Sequence, residues 1–219
     1  MKHKKSEKNV VKKSKVDEAL ELPVICNMNP RSIYNKVNEF EVFVEQHEVD
    51  LVFMSESWER PEYPLKELIN LKDFEIISNV SQRHGQGGRP ALLVNKNKFK
   101  IKDITNTLVT IPWRVEAVWC LLSPKHAKSD SKIKKIACCA LYSKPQSRKK
   151  AVLLDHISDT YDLLKTKYDG LHFIIAGDSN DLKIDAILNL DKKFVQVVRN
   201  YTRLNPPAIL DTVIQASHY

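Results

Sequence analysis

Apolar positions along the chain fall into short blocks whose spacing changes several times. LPVICNM at 22–28 is a continuous run rich in β-formers that stops at Pro30, which reads as a strand followed by a loop. From Ser32, the apolar residues Ile33, Val37, Phe40 and Val44 recur every three or four positions. They line one face of a helix running to about His47, with Ser32 as its N-cap. VDLVFMS at 49–55 is a second buried run, too short for a helix, so the chain opens as a βαβ-like unit. FEIISNV (74–80), PALLVN (90–95), a stretch near 99–109, VEAVWCLL (115–122) and IKKIACCALYS (133–143) follow between polar turns. With only one short helical insertion among them, they predict a largely antiparallel portion of sheet.

The helical period then returns. Leu153, Leu154, Ile157, Tyr161, Leu164 and Tyr168 give the longest amphipathic helix, over 148–168, and it feeds a buried strand, LHFIIAGD, at 171–178. A short helix at 183–190, the run FVQVV at 194–198 and a strand ILDTVI at 209–214 complete an α/β pattern of mixed sheets packed face to face.

Composition supports one compact domain at 21–219 behind a basic, disordered tail at 1–20. The 219 residues are 42% hydrophobic and 28% charged with only 5 glycines, which excludes collagen-like, low-complexity and wholly disordered classes. No apolar run approaches the roughly 18 to 20 residues of a membrane span and no signal-peptide core is present, so an intracellular protein without membrane association is expected. Cys26, Cys120, Cys138 and Cys139 lack metal-type spacing, and three of them lie inside apolar runs; neither a disulfide framework nor a zinc site is expected. The net charge is +8, and residues 1–18 carry seven lysines against three acids, half of that excess. Such an arm suits a polyanion or a nuclear import receptor, and a merely solvated terminus is the competing reading.

Polar residues at strand ends are the candidates for chemistry. Asn29 follows the first strand, Glu56 the second and Asp178 the long strand after the helix, and Asp211 interrupts the last run. Strand ends collect functional groups in α/β folds, and carboxylates converging there call for a divalent cation with oxygen ligands. Taken singly, Glu56 reads equally as a solvated turn cap, and Asp178 with Asn180 as an Asx turn.

The ordered set NPRS, SESW, LYSKP, GDSND and ILDTV resembles the endonuclease/exonuclease/phosphatase superfamily. The likeness is to the apurinic-endonuclease-like nucleases that non-LTR retrotransposons encode ahead of their reverse transcriptases. It runs from about residue 22 to the end of the chain. It implies a four-layer αββα sandwich of two mixed sheets flanked by helices. It also implies a Mg²⁺-dependent (or Mn²⁺-dependent) phosphodiesterase acting on DNA, in a nuclear setting, with a reverse transcriptase domain in a full-length parent. By resemblance, Asn29 is the first active-site asparagine, with Asn27 as the alternative register, and Glu56 is the main metal ligand, assisted by Asn29. Tyr142 resembles the tyrosine at the scissile phosphate, Asp178 the aspartate that activates water, Asn180 the asparagine that binds phosphate, and Asp211 the aspartate that orients a catalytic histidine.

Two departures accompany the resemblance. The family's Ser-Asp-His motif and its following strand do not occur after Asp211. His218 stands in Ser-His without the aspartate, too close to Asp211 to replace that histidine. The domain is therefore expected to be incomplete at its C-terminus, with its last strand or strands missing. The second departure is Ser179, where the family has a bulky residue. A non-catalytic or vestigial nucleic-acid-binding fragment thus competes with the nuclease reading, and a phosphatase of the same fold, acting on an inositol phosphate or sphingolipid, is disfavoured by the motif wording.

The remaining signals are weaker. RHGQGGRP at 83–90 leads into a strand rather than a helix, so a hairpin turn is expected there, not a phosphate loop. SKPQSRKK and YTRLNPP put Lys144, Arg148, Lys149, Arg203 and Tyr201 in loops. They suit nonspecific backbone contacts to DNA, against a plain solvated helix start at 147–150. Trp58, Trp113 and Trp119 read as packing residues of the core or its rim, with base-stacking platforms as the competing reading.

Overall fold

The structure is a computed structural model. It describes residues 23–79, 88–113, 115–126, 133–145, 148, 150–180 and 182–197, with the backbone of 203–204, 207–208 and 211–216 and the side chains of 213–215. The basic tail, residues 80–87 with most of the expected hairpin turn, Lys149, Tyr201 and His218 lie outside the described residues.

Two sheets carry the chain. In the first, β1 (Ile25–Met28) runs parallel to β2 (Leu51–Met54), β2 is antiparallel to β4 (Ala91–Asn95), and β3 (Phe74–Ser78) closes the order β1-β2-β4-β3. The parallel β1–β2 pair is joined through α1 (Val37–Gln46), as expected of the βαβ-like opening. β3 and β4 pair antiparallel, with Ser78 opposite Ala91. The second sheet has the order β5-β6-β7-β8-β12-β9. Its members are β5 (Phe99–Asp103), β6 (Glu116–Pro124), β7 (Lys135–Tyr142), β8 (Leu171–Asp178), β9 (Phe194–Gln196) and β12 (Asp211–Ala216). β7 and β8 are parallel and the other pairs are antiparallel. Three further helices are α2 (Leu65–Leu68), α3 (Lys150–Lys167) and α4 (Asp185–Leu188).

The alternation of side chains along each strand produces three separate apolar layers. Leu51, Phe53, Leu92 and Val94 from the first sheet meet Val118, Cys120, Leu122, Cys138 and Ile174 from the second. The alternate residues Val52, Met54, Ala91 and Leu93 face outward onto Phe40 and Val44 of α1 and Leu65 of α2. On the other side Trp119, Leu121, Cys139, Phe173 and Ile175 pack on Leu153, Ile157, Tyr161 and Leu164 of α3 and Ile187 of α4. Strands covered on both faces read as unbroken apolar runs, which is why VDLVFMS and LHFIIAGD show no alternation in the sequence. Each large side chain buried this way contributes roughly 1.5–3 kcal/mol. The result is the expected αββα sandwich of two mixed sheets.

Three local expectations are corrected. Ser32 is not an N-cap: the helix starts at Val37 behind Lys36, and no side chain caps it. Arg31 and Ser32 instead hold positive φ values of 46° and 83°, because Ser32 N–H and Ile33 N–H donate to the Glu56 and Ser57 carbonyls. The YTRLNPP segment is not all loop, since Arg203–Leu204 (β10) pairs antiparallel with Pro207–Ala208 (β11). Trp113 is not a core residue: 65% of its surface is exposed. All four cysteines are free thiols. Among the described residues, no helix is long and apolar enough to cross a membrane.

Candidate active site

β1, β2 and β8 end on the same side of the sandwich, and their ends are tied together across the two sheets. Ser55, the residue after β2, accepts the backbone N–H of Asp178 at its Oγ, 2.8 Å away, and its own N–H donates to the Met28 carbonyl at 3.0 Å. Asn29 then reaches between the sheets. Its Nδ2 donates to Glu56 Oε1 at 2.8 Å and to Asp178 Oδ2 at 2.7 Å, so one amide group bridges both carboxylates. Asn29 Oδ1 accepts the Arg31 N–H at 3.1 Å, fixing the amide's orientation.

Each carboxylate has further support. Glu56 Oε2 accepts the Trp58 indole Nε1–H at 3.0 Å. Asp178 Oδ1 accepts the Asn180 N–H at 3.0 Å, the Asx turn that the GDSN motif suggested. Asn180 Nδ2 donates in turn to the Ser143 carbonyl at 2.9 Å, and Ser143 N–H donates to the Asp178 carbonyl at 2.9 Å. The loop after β7 is thus locked to the end of β8.

The glycine before Asp178 is required by close approach. Gly177 has φ of 147°, and a Cβ there would lie 2.0 Å from the Leu141 carbonyl oxygen. Its neighbour Asp178 is the register partner of Tyr142 in β7 and of Asp211 in β12. Glu116 of β6 extends the row as the partner of Tyr142. Non-glycine residues with positive φ gather around the same end: Arg31, Ser32, Trp58 and Asn180. Such conformations cost of order 1–3 kcal/mol each and concentrate where a site over-determines its backbone.

Comparison with known proteins gives the architecture a name. No protein-family model matches the chain, and no curated protein matches it by sequence. Solved structures do match. The endonuclease domain of TRAS1, a telomere-specific non-LTR retrotransposon, aligns with a TM-score of 0.61 at 11% identity, covering 90% of this chain and 86% of that one. TDP2 of D. rerio, complexed with a single-strand DNA product, aligns at 0.59 and 14% identity over 88% and 83% of the two chains. The 3′ phosphatase NExo from Neisseria, bound to a product DNA hairpin, aligns at 0.56 and 9% identity over 89% and 87%. The chain has the endonuclease/exonuclease/phosphatase fold.

Within that fold the structure brings Asn29, Glu56, Asp178 and Asn180 into one hydrogen-bonded set, and it places Tyr142 and the backbone of Asp211 in the row that flanks Asp178. Asn27 is the alternative that does not join: it lies within β1 opposite Phe53, and its buried Oδ1 makes no hydrogen bond. Lys144 and Arg148 are exposed just beyond Tyr142. Arg203 belongs to β10, and its side chain, like that of Asp211, lies outside the description.

Sequence reasoning gave Ser55 no role of its own and read Trp58 as a packing residue. The indole of Trp58 is a hydrogen-bond donor to Glu56, not packing alone. The available signal was the short spacing in SESW, with two polar residues flanking the glutamate.

The donor set fits a hard divalent cation. Glu56 offers carboxylate oxygens half-open to solvent, its donors among the described residues are both neutral, and Asp178, a second carboxylate, is 5% exposed beside it. Two carboxylates sharing one amide favour a cation with oxygen ligands. Among the described residues, no group of three His, Cys, Asp or Glu side chains is assembled to hold a metal, so a bound ion would draw on Glu56, the Asn29 amide and water.

Proposed function

We propose that the chain is a Mg²⁺-dependent phosphodiesterase domain acting on DNA, of the endonuclease kind that non-LTR retrotransposons encode. The observation that carries this reading is the bridge from Asn29 Nδ2 to Glu56 and Asp178. It sets two carboxylates in the arrangement that metal-assisted phosphoryl hydrolysis needs, on a fold shared with nucleases and phosphatases.

Glu56 and Asn29 would hold Mg²⁺ (or Mn²⁺), which neutralises phosphate charge when bound. Asp178, oriented by Asn29 and by the Asn180 N–H, takes the proton of the attacking water as the new P–O bond forms and the bond to the leaving oxygen breaks. Asn180 Nδ2 keeps a second hydrogen with which to donate to a phosphate oxygen. Tyr142, the register partner of Asp178 on β7, would offer its hydroxyl to the same phosphate, and Asp211 is the register partner of Asp178 on β12. Lys144, Arg148 and Arg203, with the lysines of the tail, supply nonspecific contacts to the DNA backbone.

The competing reading is a nucleic-acid-binding domain without turnover, which the same basic loops would serve. Single-turnover nicking of supercoiled plasmid separates the two. The nuclease reading expects nicking that requires Mg²⁺ and disappears in Asp178→Ala. Binding without nicking favours the second reading.

A further inference from the structure

We propose that Tyr63 is a stacking platform for an unpaired nucleobase beside the active site, so that the strand taken there is single-stranded or frayed. This rests on the nucleic-acid reading above and adds which form of the substrate is preferred.

Tyr63 has 62% of its surface exposed, yet it is held from several directions. Its N–H donates to the Arg60 carbonyl at 3.0 Å, closing a turn through Pro61 and Glu62, and proline at the second position of such a turn fixes φ in advance. Its carbonyl accepts the Tyr34 hydroxyl at 3.0 Å, and the Tyr34 oxygen accepts the Arg60 N–H at 2.9 Å. The rings of Tyr34 and Tyr63 meet edge to face, with centroids 6.4 Å apart and planes at 81°. The Arg60 guanidinium lies 5.5 Å from the Tyr34 ring centroid. Most of the ordering that opposes stacking on a surface aromatic is therefore complete before any ligand arrives.

The cluster borders the carboxylates. Ser32 N–H donates to the Glu56 carbonyl at 3.0 Å and Ile33 N–H to the Ser57 carbonyl at 3.2 Å, so Tyr34 and Arg60 leave the site on adjoining segments. Arg60 follows Glu56 by four residues, which limits their Cα separation to about 15 Å. Arg60, in the same cluster, is exposed and suits a phosphate next to the stacked base.

A base inside a duplex is stacked on both faces and shows a protein only its edges. An unpaired or flipped base offers a π-face, and stacking on an aromatic side chain is sequence-tolerant for that reason. An exposed tyrosine held by a turn and an edge-to-face neighbour, with Arg60 in the same cluster, is matched to the second situation.

The test uses the whole chain in EDTA, so that no turnover occurs. A 2-aminopurine reporter is placed in a single-stranded oligonucleotide and in a blunt duplex of the same sequence. The unmodified chain is expected to quench the single-stranded reporter. Tyr63→Ala should weaken single-strand binding about tenfold and duplex binding less than twofold, while Tyr63→Trp keeps both affinity and quenching. Should the alanine variant fold poorly, Tyr63→Leu keeps apolar bulk without a π-face and is expected to show the same selective loss. Equal losses on both substrates, no loss on either, or no single-strand binding by the unmodified chain would overturn the proposal. Absence of Mg²⁺-dependent cleavage with quenching intact counts against the catalytic reading alone.

Discussion

Ser55 and Asp178 lie 123 residues apart in the chain, and the Ser55 hydroxyl oxygen accepts the Asp178 backbone N–H at 2.8 Å. One bond therefore joins the end of the first sheet to the end of the second, at the residue proposed to activate water. Both partners are buried. Ser55→Ala leaves a buried N–H without its acceptor, which costs about 1–3 kcal/mol. Urea denaturation should show a loss of that size, with Ser55→Thr closer to the unmodified chain. An alanine variant of unchanged stability would mean that water replaces the hydroxyl.

Trp58 acts on Glu56 through a single N–H···O bond. Trp58→Phe removes the donor and keeps most of the ring. The expected outcome is Mg²⁺ affinity reduced about tenfold, the lower end of the 10- to 100-fold losses seen for groups that orient metal ligands, with the melting temperature in EDTA little changed. Isothermal titration with Mg²⁺ measures it. Unaltered affinity would reduce Trp58 to a packing residue.

Gly177→Ala should be among the most damaging single-methyl changes in the chain. The new Cβ meets the Leu141 carbonyl oxygen at 2.0 Å in a backbone conformation, φ of 147°, that L-residues rarely adopt. A loss of more than about 2 kcal/mol is expected from strain at that φ and displacement of β7. Chemical denaturation checks it, and a tolerated alanine would show that β7 moves aside at little cost.

His156 gives the fold a pH dependence. It is buried on α3, its Nε2 accepts the Trp119 indole N–H at 3.1 Å, and burial lowers its pKa to about 4, against the opposing field of Asp159. The unfolded chain binds a proton near the ordinary value of 6.5, so between about pH 6.5 and 4 the unfolded state holds more protons and stability rises with pH. Across that window acidification should cost on the order of 3 kcal/mol from this group, and His156→Gln should flatten the profile. Equal slopes for the two proteins between pH 4 and 6.5 would contradict the assignment.

The layers were legible because strands buried on both faces show as unbroken apolar runs and α3 as a long period of three and four. The start of α1 was not. Ser32 carries a good N-cap side chain, but its N–H is taken by the Glu56 carbonyl, a partner 24 residues ahead that no local pattern reveals. The site was legible as far as strand-end polar residues and ordered motifs reach, which is why Asn29, Glu56, Asp178 and Asn180 could be named. Ser55 and Trp58 were hidden for the opposite reason: a serine at a strand end and a tryptophan two residues past a glutamate have many uses, and only three-dimensional contact selects one. Tyr63 and Trp113 illustrate the same limit, since an aromatic residue in a loop carries no mark of its exposure.

The most direct test of the central claim is a Mg²⁺ titration followed by thermal melting, for the unmodified chain and for Glu56→Gln. If Glu56 and Asn29 form a cation site beside Asp178, a hundredfold excess of Mg²⁺ over its dissociation constant adds about 2.7 kcal/mol of stability, a rise of roughly 5–10 °C for a domain of this size. The glutamine variant, with its charge removed and its shape kept, should melt at the same temperature in Mg²⁺ and in EDTA. Equal melting temperatures in Mg²⁺ and EDTA for the unmodified chain would contradict the account.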